Sequence, residues 1–309
     1  MTSPADPPLL FHPEVAEALA DGRPVVALES TIISHGLPAD RGLEVATRIE
    51  DAVRAAGAVP ATIALIEGSV RIGLEAEQLK ALVDRDDVAK ASIRDVAVVL
   101  AQGGLGATTV ASTSWIASLA GIRTFATGGL GGVHREASAS WDESADLYGM
   151  AVSPVTVVCA GAKSILDVAA TLERLESLSV TVVGYQADRF PGFYVRDTAH
   201  AVPWRVDSPA EIAAVMGIRE RLGVRQAMVV ANPIAEASQL DPAWHDEVLQ
   251  AGLAELDRRG VRGKDVTPFL LAYFHERTGG ASLQANIDLV LGNARLAGAI
   301  ASEYALLRQ

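Results

Sequence analysis

Short β-type runs alternate with longer helix-periodic segments along this 309-residue chain, and that alternation leaves few architectures open. Pro24–Leu28, Ala61–Ile66, Ile122–Ala126, Val155–Cys159, Val180–Gly184 and Ala227–Ala231 read as strands. Helical spacing is predicted over Asp40–Ala56, Ala76–Val83, Ser92–Gln102, Thr108–Ala120 and Ser164–Leu178. It returns over Ala243–Arg258, Val266–Arg277 and Ser282–Leu307. Strands separated by helices imply an α/β fold, a parallel or mixed sheet with helices on both faces. No Pro/Ser/Gly-rich linker and no internal repeat divides the chain. A single domain over residues 13–309 is therefore expected, behind a short flexible arm at 1–12.

Composition narrows the function. Half the residues are hydrophobic and 5% aromatic, so the core must be built from Ala, Val, Leu and Ile. A formal charge of −12 argues against a nucleic-acid backbone or an anionic membrane as partner. The single Cys159 excludes an intrachain disulfide and suits a reducing cytoplasm. No 18-residue apolar span is present, and the first residues lack the basic region and apolar stretch of a signal peptide. A cytoplasmic protein is expected.

Of 26 basic residues only four are lysine: Lys80, Lys90, Lys163 and Lys264. Lys163 falls between the apolar strand Val155–Cys159 and the helix predicted from Ser164. Burial and the positive end of a helix dipole both disfavour an ammonium there. An amine so placed is a nucleophile of the kind that forms Schiff bases. The alternative is a lysine that snorkels from the first helical turn.

Four further segments carry polar residues that packing alone does not require. In Leu28-Glu-Ser-Thr-Ile-Ile-Ser-His-Gly-Leu-Pro38, Glu29 follows a strand at its C-terminal end, where α/β sheets bind ligands. It is either a general acid or base, or a cap for the next turn. In Val88-Ala-Lys-Ala-Ser-Ile-Arg-Asp95, Lys90, Arg94 and Asp95 are either functional or a solvated helix start. The third is Phe125-Ala-Thr-Gly-Gly-Leu-Gly-Gly-Val-His134, followed by Trp141-Asp-Glu-Ser-Ala-Asp146. Its glycines let backbone amides approach a phosphate, with Thr127 and His134 as side-chain donors. Asp142 and Asp146 are four apart, and on a helix they would share a face and call for a cation between them. A flexible loop and a capped acidic helix is the other reading. In the fourth, Asn286 and Asn293 are seven apart on one face of an apolar helix. Each either pairs with a buried polar group or reads a ligand.

Taken together, Leu-Glu-Ser-Thr-Ile-Ile-Ser-His-Gly-Leu-Pro, Ala-Thr-Gly-Gly-Leu-Gly-Gly-Val-His-Arg, Trp-Asp-Glu-Ser-Ala-Asp-Leu, Val-Cys-Ala-Gly-Ala-Lys-Ser-Ile-Leu-Asp, Asp265-Val-Thr-Pro-Phe-Leu-Leu and Ser-Leu-Gln-Ala-Asn-Ile closely resemble the pseudouridine-5′-phosphate glycosidase, or indigoidine synthase A-like, family. The resemblance runs in order from about Val25 to Glu303. It implies a three-layer α/β/α fold, a homotrimer and a divalent metal, typically manganese. It implies reversible cleavage of pseudouridine 5′-phosphate to uracil and ribose 5-phosphate. By the same resemblance Lys163 is the Schiff-base lysine, Glu29 the proton donor, Lys90 a substrate contact and Asp142 the metal ligand. Ser144, Ala145 and Asp146 match a substrate-binding stretch, as does the backbone at Thr109 and Val110. Two departures stand out: Gly106-Ala107-Thr108, and Gly280-Ala281-Ser282, where a lysine is expected before the serine.

The chemistry agrees. A base joined through carbon is not made a leaving group by simple protonation, so a paired-carboxylate scheme fits poorly. A lysine iminium at C1′ can take the electrons of the breaking bond. Lys90 and Asp146 would then move protons on the sugar hydroxyls. Two alternatives remain, a lysine-dependent aldolase acting on a sugar phosphate and a non-catalytic sugar-phosphate binder.

Overall fold

The computed structural model describes residues 9–135, 137–262 and 266–308. Residues 1–8 of the expected arm, and Lys264 and Asp265, lie outside the described residues. The strands are β1 (Leu9–Phe11), β2 (Val25–Leu28), β3 (Val59–Ile66), β4 (Ser69–Ile72), β5 (Ala89–Ala91) and β6 (Leu105–Thr108). They continue with β7 (Thr124–Ala126), β8 (Thr156–Cys159), β9 (Thr181–Tyr185), β10 (Arg205–Val206) and β11 (Met228–Ala231). The helices are α1 (Pro13–Ala20), α2 (Thr31–His35), α3 (Ala39–Ala55), α4 (Ala76–Asp84), α5 (Ile93–Ala101), α6 (Val110–Leu119) and α7 (Ala137–Ser140). After them come α8 (Ala145–Ala151), α9 (Val168–Ser177), α10 (Pro209–Arg221), α11 (Pro242–Arg259), α12 (Val266–Arg277) and α13 (Ala281–Leu306).

The strands form one mixed sheet in the order β1-β4-β3-β2-β7-β8-β11-β9-β10, with β6 also on β3 and β5 on β6. The central strands Val-Val-Ala-Leu, Thr-Val-Val-Cys and Met-Val-Val-Ala are buried throughout, as continuous apolar runs are in sheets covered on both faces. Helix α13 packs between α3 and α10 in one layer, and α5, α6, α8 and α9 make the other. This is the expected three-layer α/β/α architecture in a single domain. No helix among the described residues is long and apolar enough to cross a membrane.

β3 organises the site. Its first half pairs in parallel with β2, Leu28 opposite Thr62. Its second half pairs antiparallel with β6, Ala107 opposite Ala64. The C-terminal ends of β2 and β6 therefore run toward each other and meet along β3. The reversal of strand direction opens a crevice there, as at the switch points of α/β sheets.

Three expectations need correction. The arm ends earlier than residue 12, because β1 pairs with β4 and His12 caps α1. The helix after Lys163 begins at Val168, not Ser164; the Asp167 side chain caps it by accepting from Ala170 N–H. The dipole of α9 therefore starts five residues beyond the lysine. Asp142 and Asp146 do not share a helix face, because Ser144 caps a new helix at Ala145 and Asp142 precedes it in a loop.

Candidate active site

A cavity of about 390 Å³ lies at the crevice. Of the fifteen candidate residues named from sequence, thirteen line it: Glu29, Lys90, Arg94, Asp95, Thr109, Val110, His134, Asp142, Ser144, Ala145, Asp146, Lys163 and Asn286. Thr127 and Asn293 do not.

Lys163 is held by a ladder that continues past the ends of β7 and β8. Ala160 N–H donates to Gly128 C=O at 2.9 Å, Leu130 N–H to Gly161 C=O at 2.9 Å, and Lys163 N–H to Leu130 C=O at 3.1 Å. The glycine-rich loop and the lysine loop are thus zipped together, which fixes where the half-buried amine stands. Gly161 has φ +82°, and a Cβ there would meet the Pro191 carbonyl. Cys159, at the end of β8, is fully buried, and burial pushes its thiol up to about 12. It is not a competing nucleophile.

Glu29 leaves β2 into the same cavity, and its carboxylate accepts a hydrogen bond from the Thr127 hydroxyl. Burial pushes the Glu29 carboxyl above its ordinary value, against the opposing pull of Lys163 and of the Thr127 bond. Thr127, read from sequence as a phosphate donor, instead serves Glu29. Its hydroxyl is buried because the β7 end carries it inward, beneath the glycine loop. The residues around Glu29 explain the rest of its motif. Ser30 Oγ donates to Ile63 C=O at 2.7 Å and accepts from Thr108 N–H at 2.8 Å. Thr31 Oγ1 donates to Thr108 C=O at 2.8 Å. These bonds sew the end of β2 to the end of β6 and hold Glu29 at the seam.

Asp146 is buried, its two carboxylate oxygens accepting from Ala111 N–H and Gly131 N–H, each at 2.9 Å. It ties the first turn of α6 to the glycine loop, and Gly131 must lack a side chain because a Cβ would stand 2.6 Å from Asp146 Oδ2. Other loop amides are also committed within the protein. Val133 N–H donates to Thr171 Oγ1, and His134 N–H to Asp142 C=O. The amide nest expected for phosphate is therefore partly occupied by the protein itself.

Thr109 caps α6, so Thr109 and Val110 present the start of that helix to the cavity. His134 Nδ1 stands 3.8 Å from Asp142 Oδ2, and burial pushes its imidazole below the ordinary value against the pull of that carboxylate. The two asparagines divide their expected roles. Asn293 is fully buried; it accepts from Asn232 and donates to Thr127 C=O at 2.8 Å, which pins the glycine loop. Asn286 lines the cavity, and its buried Oδ1 has no hydrogen-bond partner among the described residues.

Sequence reasoning missed several wall residues. Phe193 has φ +64°, rare for a residue with a side chain, and its ring packs on Gly129. Thr267, Pro268 and Leu271 of α12 close the apolar side, and His35 of α2 closes another. His35 lay in the Glu29 motif and Thr267, Pro268 and Leu271 in the stretch from Asp265 to Leu271, but no sequence signal pointed to Phe193.

The charge balance is unexpected for a site read as anion-binding. Among the described residues, five carboxylates (Glu29, Asp95, Asp142, Glu143 and Asp146) line the cavity with three basic side chains, Lys90, Arg94 and Lys163.

The family description "Indigoidine synthase A like protein" matches residues 14–303. A pseudouridine-5′-phosphate glycosidase of Salinispora tropica is 59% identical over 289 residues, covering 93% of this chain and 89% of that protein. One from a Nocardioides species is 55% identical over 308 residues, covering 100% of each. Among solved structures, a prealnumycin C-glycosynthase in complex with ribulose 5-phosphate superposes with a TM-score of 0.91 at 38% identity over 99% of both chains. An indigoidine synthase A-like protein from Thermotoga maritima superposes at 0.88 with 34% identity, over 97% of both. With matches that span nearly its whole length, the chain belongs to the indigoidine synthase A-like family.

Proposed function

We propose that this protein is a C-glycosidase that cleaves pseudouridine 5′-phosphate reversibly to uracil and ribose 5-phosphate, with Lys163 as the amine that bonds to C1′. The observation that carries the reading is the convergence of Lys163 and the raised Glu29 carboxyl on one cavity, within electrostatic reach of each other. The 59% identical glycosidase supports the choice of substrate. The test is incubation with pseudouridine 5′-phosphate and Mn²⁺, followed for free uracil and ribose 5-phosphate. Release of neither product overturns the proposal.

In the proposed sequence, uracil ring electrons push out the C1′–O4′ bond, O4′ takes a proton and a C5=C1′ double bond forms. Lys163 Nζ adds to C1′ and returns the electrons to the base. A proton is placed on C5, the C1′–C5 bond breaks, and the nitrogen lone pair becomes the C1′ iminium. Water hydrolyses that iminium, releasing ribose 5-phosphate and the free amine. Glu29 shuttles the proton to and from the base, a task suited to a carboxyl held above its ordinary range. Asp146 and Lys90 act on the sugar hydroxyls. Run backwards, the same steps form a C–C bond, in keeping with a structural relative named as a C-glycosynthase.

A pH dependence follows from Thr127. Its hydroxyl favours the ionised form of Glu29. Thr127→Val removes that donor, so the carboxyl keeps its proton to higher pH. The alkaline limb on which kcat falls as Glu29 deprotonates moves upward. A charge-assisted hydrogen bond of about 1.5–3 kcal/mol corresponds to about one pH unit or more. A full kcat profile of the variant checks this; an unmoved limb, or one moved downward, contradicts it.

A divalent ion, with manganese as the expected choice, fits one carboxylate here. Among the described residues no three His, Cys, Asp or Glu side chains converge as an all-protein metal site. On the segment 142–146, Asp146 is bonded to amides and Glu143 to Arg174 at 2.9 Å. Asp142 remains, and a hard cation that keeps most of its waters can be held by one carboxylate. Bound there, the ion would supply positive charge for a phosphate in a cavity where, among the described residues, carboxylates outnumber basic side chains. Chelation should lower kcat/KM by about tenfold or more for the loss of one such interaction. Mn²⁺ should restore it, and Asp142→Ala should not recover at moderate metal concentration. Full activity in a metal-free preparation contradicts this assignment.

A further inference from the structure

Lys163 stands on a partition between two cavities. A second cavity, of about 380 Å³, adjoins the turn formed by residues 163–167. Lys163 lines the active-site cavity, Ser164 the second, and Leu166 both. The glycine-rich loop is divided in the same way, since His134 lines the active-site cavity and Arg135 the second. Both ends of the turn are bonded to that loop. Lys163 N–H donates to Leu130 C=O at 3.1 Å, and Asp167 N–H to Val133 C=O at 2.9 Å. Between them, Leu166 N–H closes the turn on Lys163 C=O at 2.9 Å. Ser164 and Ile165 are buried, and among the described residues no backbone amide donates to their carbonyls. Arg135 does so instead. Its Nη2 donates to Ser164 C=O at 3.2 Å and its Nε to Ile165 C=O at 3.3 Å. Carbonyls in a buried turn require donors, and one guanidinium fork supplies two adjacent ones.

We infer that Arg135 is a positioning residue for Lys163: its guanidinium fixes the two peptide groups that follow the lysine and so sets where Nζ meets C1′. The inference rests on the glycosidase reading for the reaction of Lys163. Arg135 does not line the active-site cavity, so it acts on the backbone and not on a ligand there. The Lys163 carbonyl is held by Leu166 N–H, and the peptides that join those two residues are the ones Arg135 holds. Without the guanidinium, the middle of the turn is free to shift while both of its ends stay bonded to the loop. An amine displaced by about 1 Å from its line of attack loses up to about a hundredfold in rate. A lysine at this position would keep the charge but present a point donor in place of a fork. The competing account is an exposed arginine that only covers the turn, whose loss costs stability and not rate.

The test compares wild type with Arg135→Ala on pseudouridine 5′-phosphate, with kcat and KM for uracil release measured separately. Arg135→Ala should lose at least about tenfold in kcat, with KM within about threefold of wild type. Methylguanidinium ion, added at concentrations far below those that unfold the protein, should restore part of the lost kcat by refilling the place of the fork. Tetramethylammonium at the same concentration should not, because it carries the charge without donors. Hydrogen exchange followed by mass spectrometry should show the amides of residues 163–167 exchanging faster in the variant, and slower again with methylguanidinium. A kcat within about twofold of wild type overturns the inference, as does a loss confined to KM. A loss of kcat that methylguanidinium leaves in place, or that tetramethylammonium repairs equally, also overturns it. Arg135→Gln is read in the same way if the alanine variant melts early. A wild-type chain that releases no uracil refutes the glycosidase reading alone, because the exchange comparison still decides whether Arg135 holds the turn; unchanged exchange in the variant refutes the clamp itself.

Discussion

Lys163→Ala should lower kcat by at least about a thousandfold, the scale on which enzymes lose activity when a covalent nucleophile is removed. Thermal unfolding should stay cooperative and close to wild type. The loop around Lys163 is held by backbone bonds to Leu130, Gly161 and Gly128, none of which involves the lysine side chain. Lys163→Arg separates two roles. A guanidinium preserves positive charge beside Glu29 but does not add to C1′. If the lysine acts only as a charge partner, the arginine variant keeps substantial turnover. If it is the nucleophile, the arginine variant is as inactive as alanine. Steady-state kinetics on both variants, with a melting curve for each, settles the point.

The 5′-phosphate should be worth at least about a hundredfold in kcat/KM. The donors at the cavity wall that could reach it are Lys90, His134, the Ser144 hydroxyl and the Val110 amide at the start of α6. Charge-assisted hydrogen bonds to an anion contribute about 1.5–3 kcal/mol each, and each 1.4 kcal/mol is about tenfold, so the loss of two suffices. Thr127 is absent from this set because its hydroxyl is engaged by Glu29. Pseudouridine without its phosphate should therefore be a poor substrate, and ribose 5-phosphate should compete. Comparable kcat/KM for the nucleoside and the nucleotide contradicts a phosphate site in this cavity.

The parts of this fold that were legible in the sequence are those where local pattern and tertiary environment agree. Val-Val-Ala-Leu, Thr-Val-Val-Cys and Met-Val-Val-Ala are β-branched, apolar and buried on both faces, and all three are strands. β5 (Ala-Lys-Ala) and β6 (Leu-Gly-Ala-Thr) carry almost no β propensity. They are strands because β3 and each other's backbones pair with them, and no local signal reports that. Yet Lys90 stands on one of them and Thr109 follows the other, so the unread half of the sheet supplies part of the site.

The carboxylates show the same limit. Spacing alone put Asp142 and Asp146 on one helix, but Ser144 starts a new helix between them. One aspartate is thereby buried against two amides, and the other is left beside His134. Equal residues at helical spacing came to hold different environments because a cap intervened. Likewise Asn286 and Asn293 share a helix and a face, yet one anchors a loop and the other faces the cavity. Sequence located both and could not divide the roles, which depend on what lies 166 residues away at Thr127.

The central claim is that a covalent bond forms between Lys163 and C1′ of the sugar. Its most direct measurement is borohydride reduction of the enzyme in the presence of ribose 5-phosphate, followed by peptide mass mapping. The account predicts one sugar-phosphate mass added at Lys163, absent without reductant and absent in Lys163→Ala. No adduct under conditions of full turnover, or an adduct on Lys80, Lys90 or Lys264 with Lys163 unmodified, contradicts it.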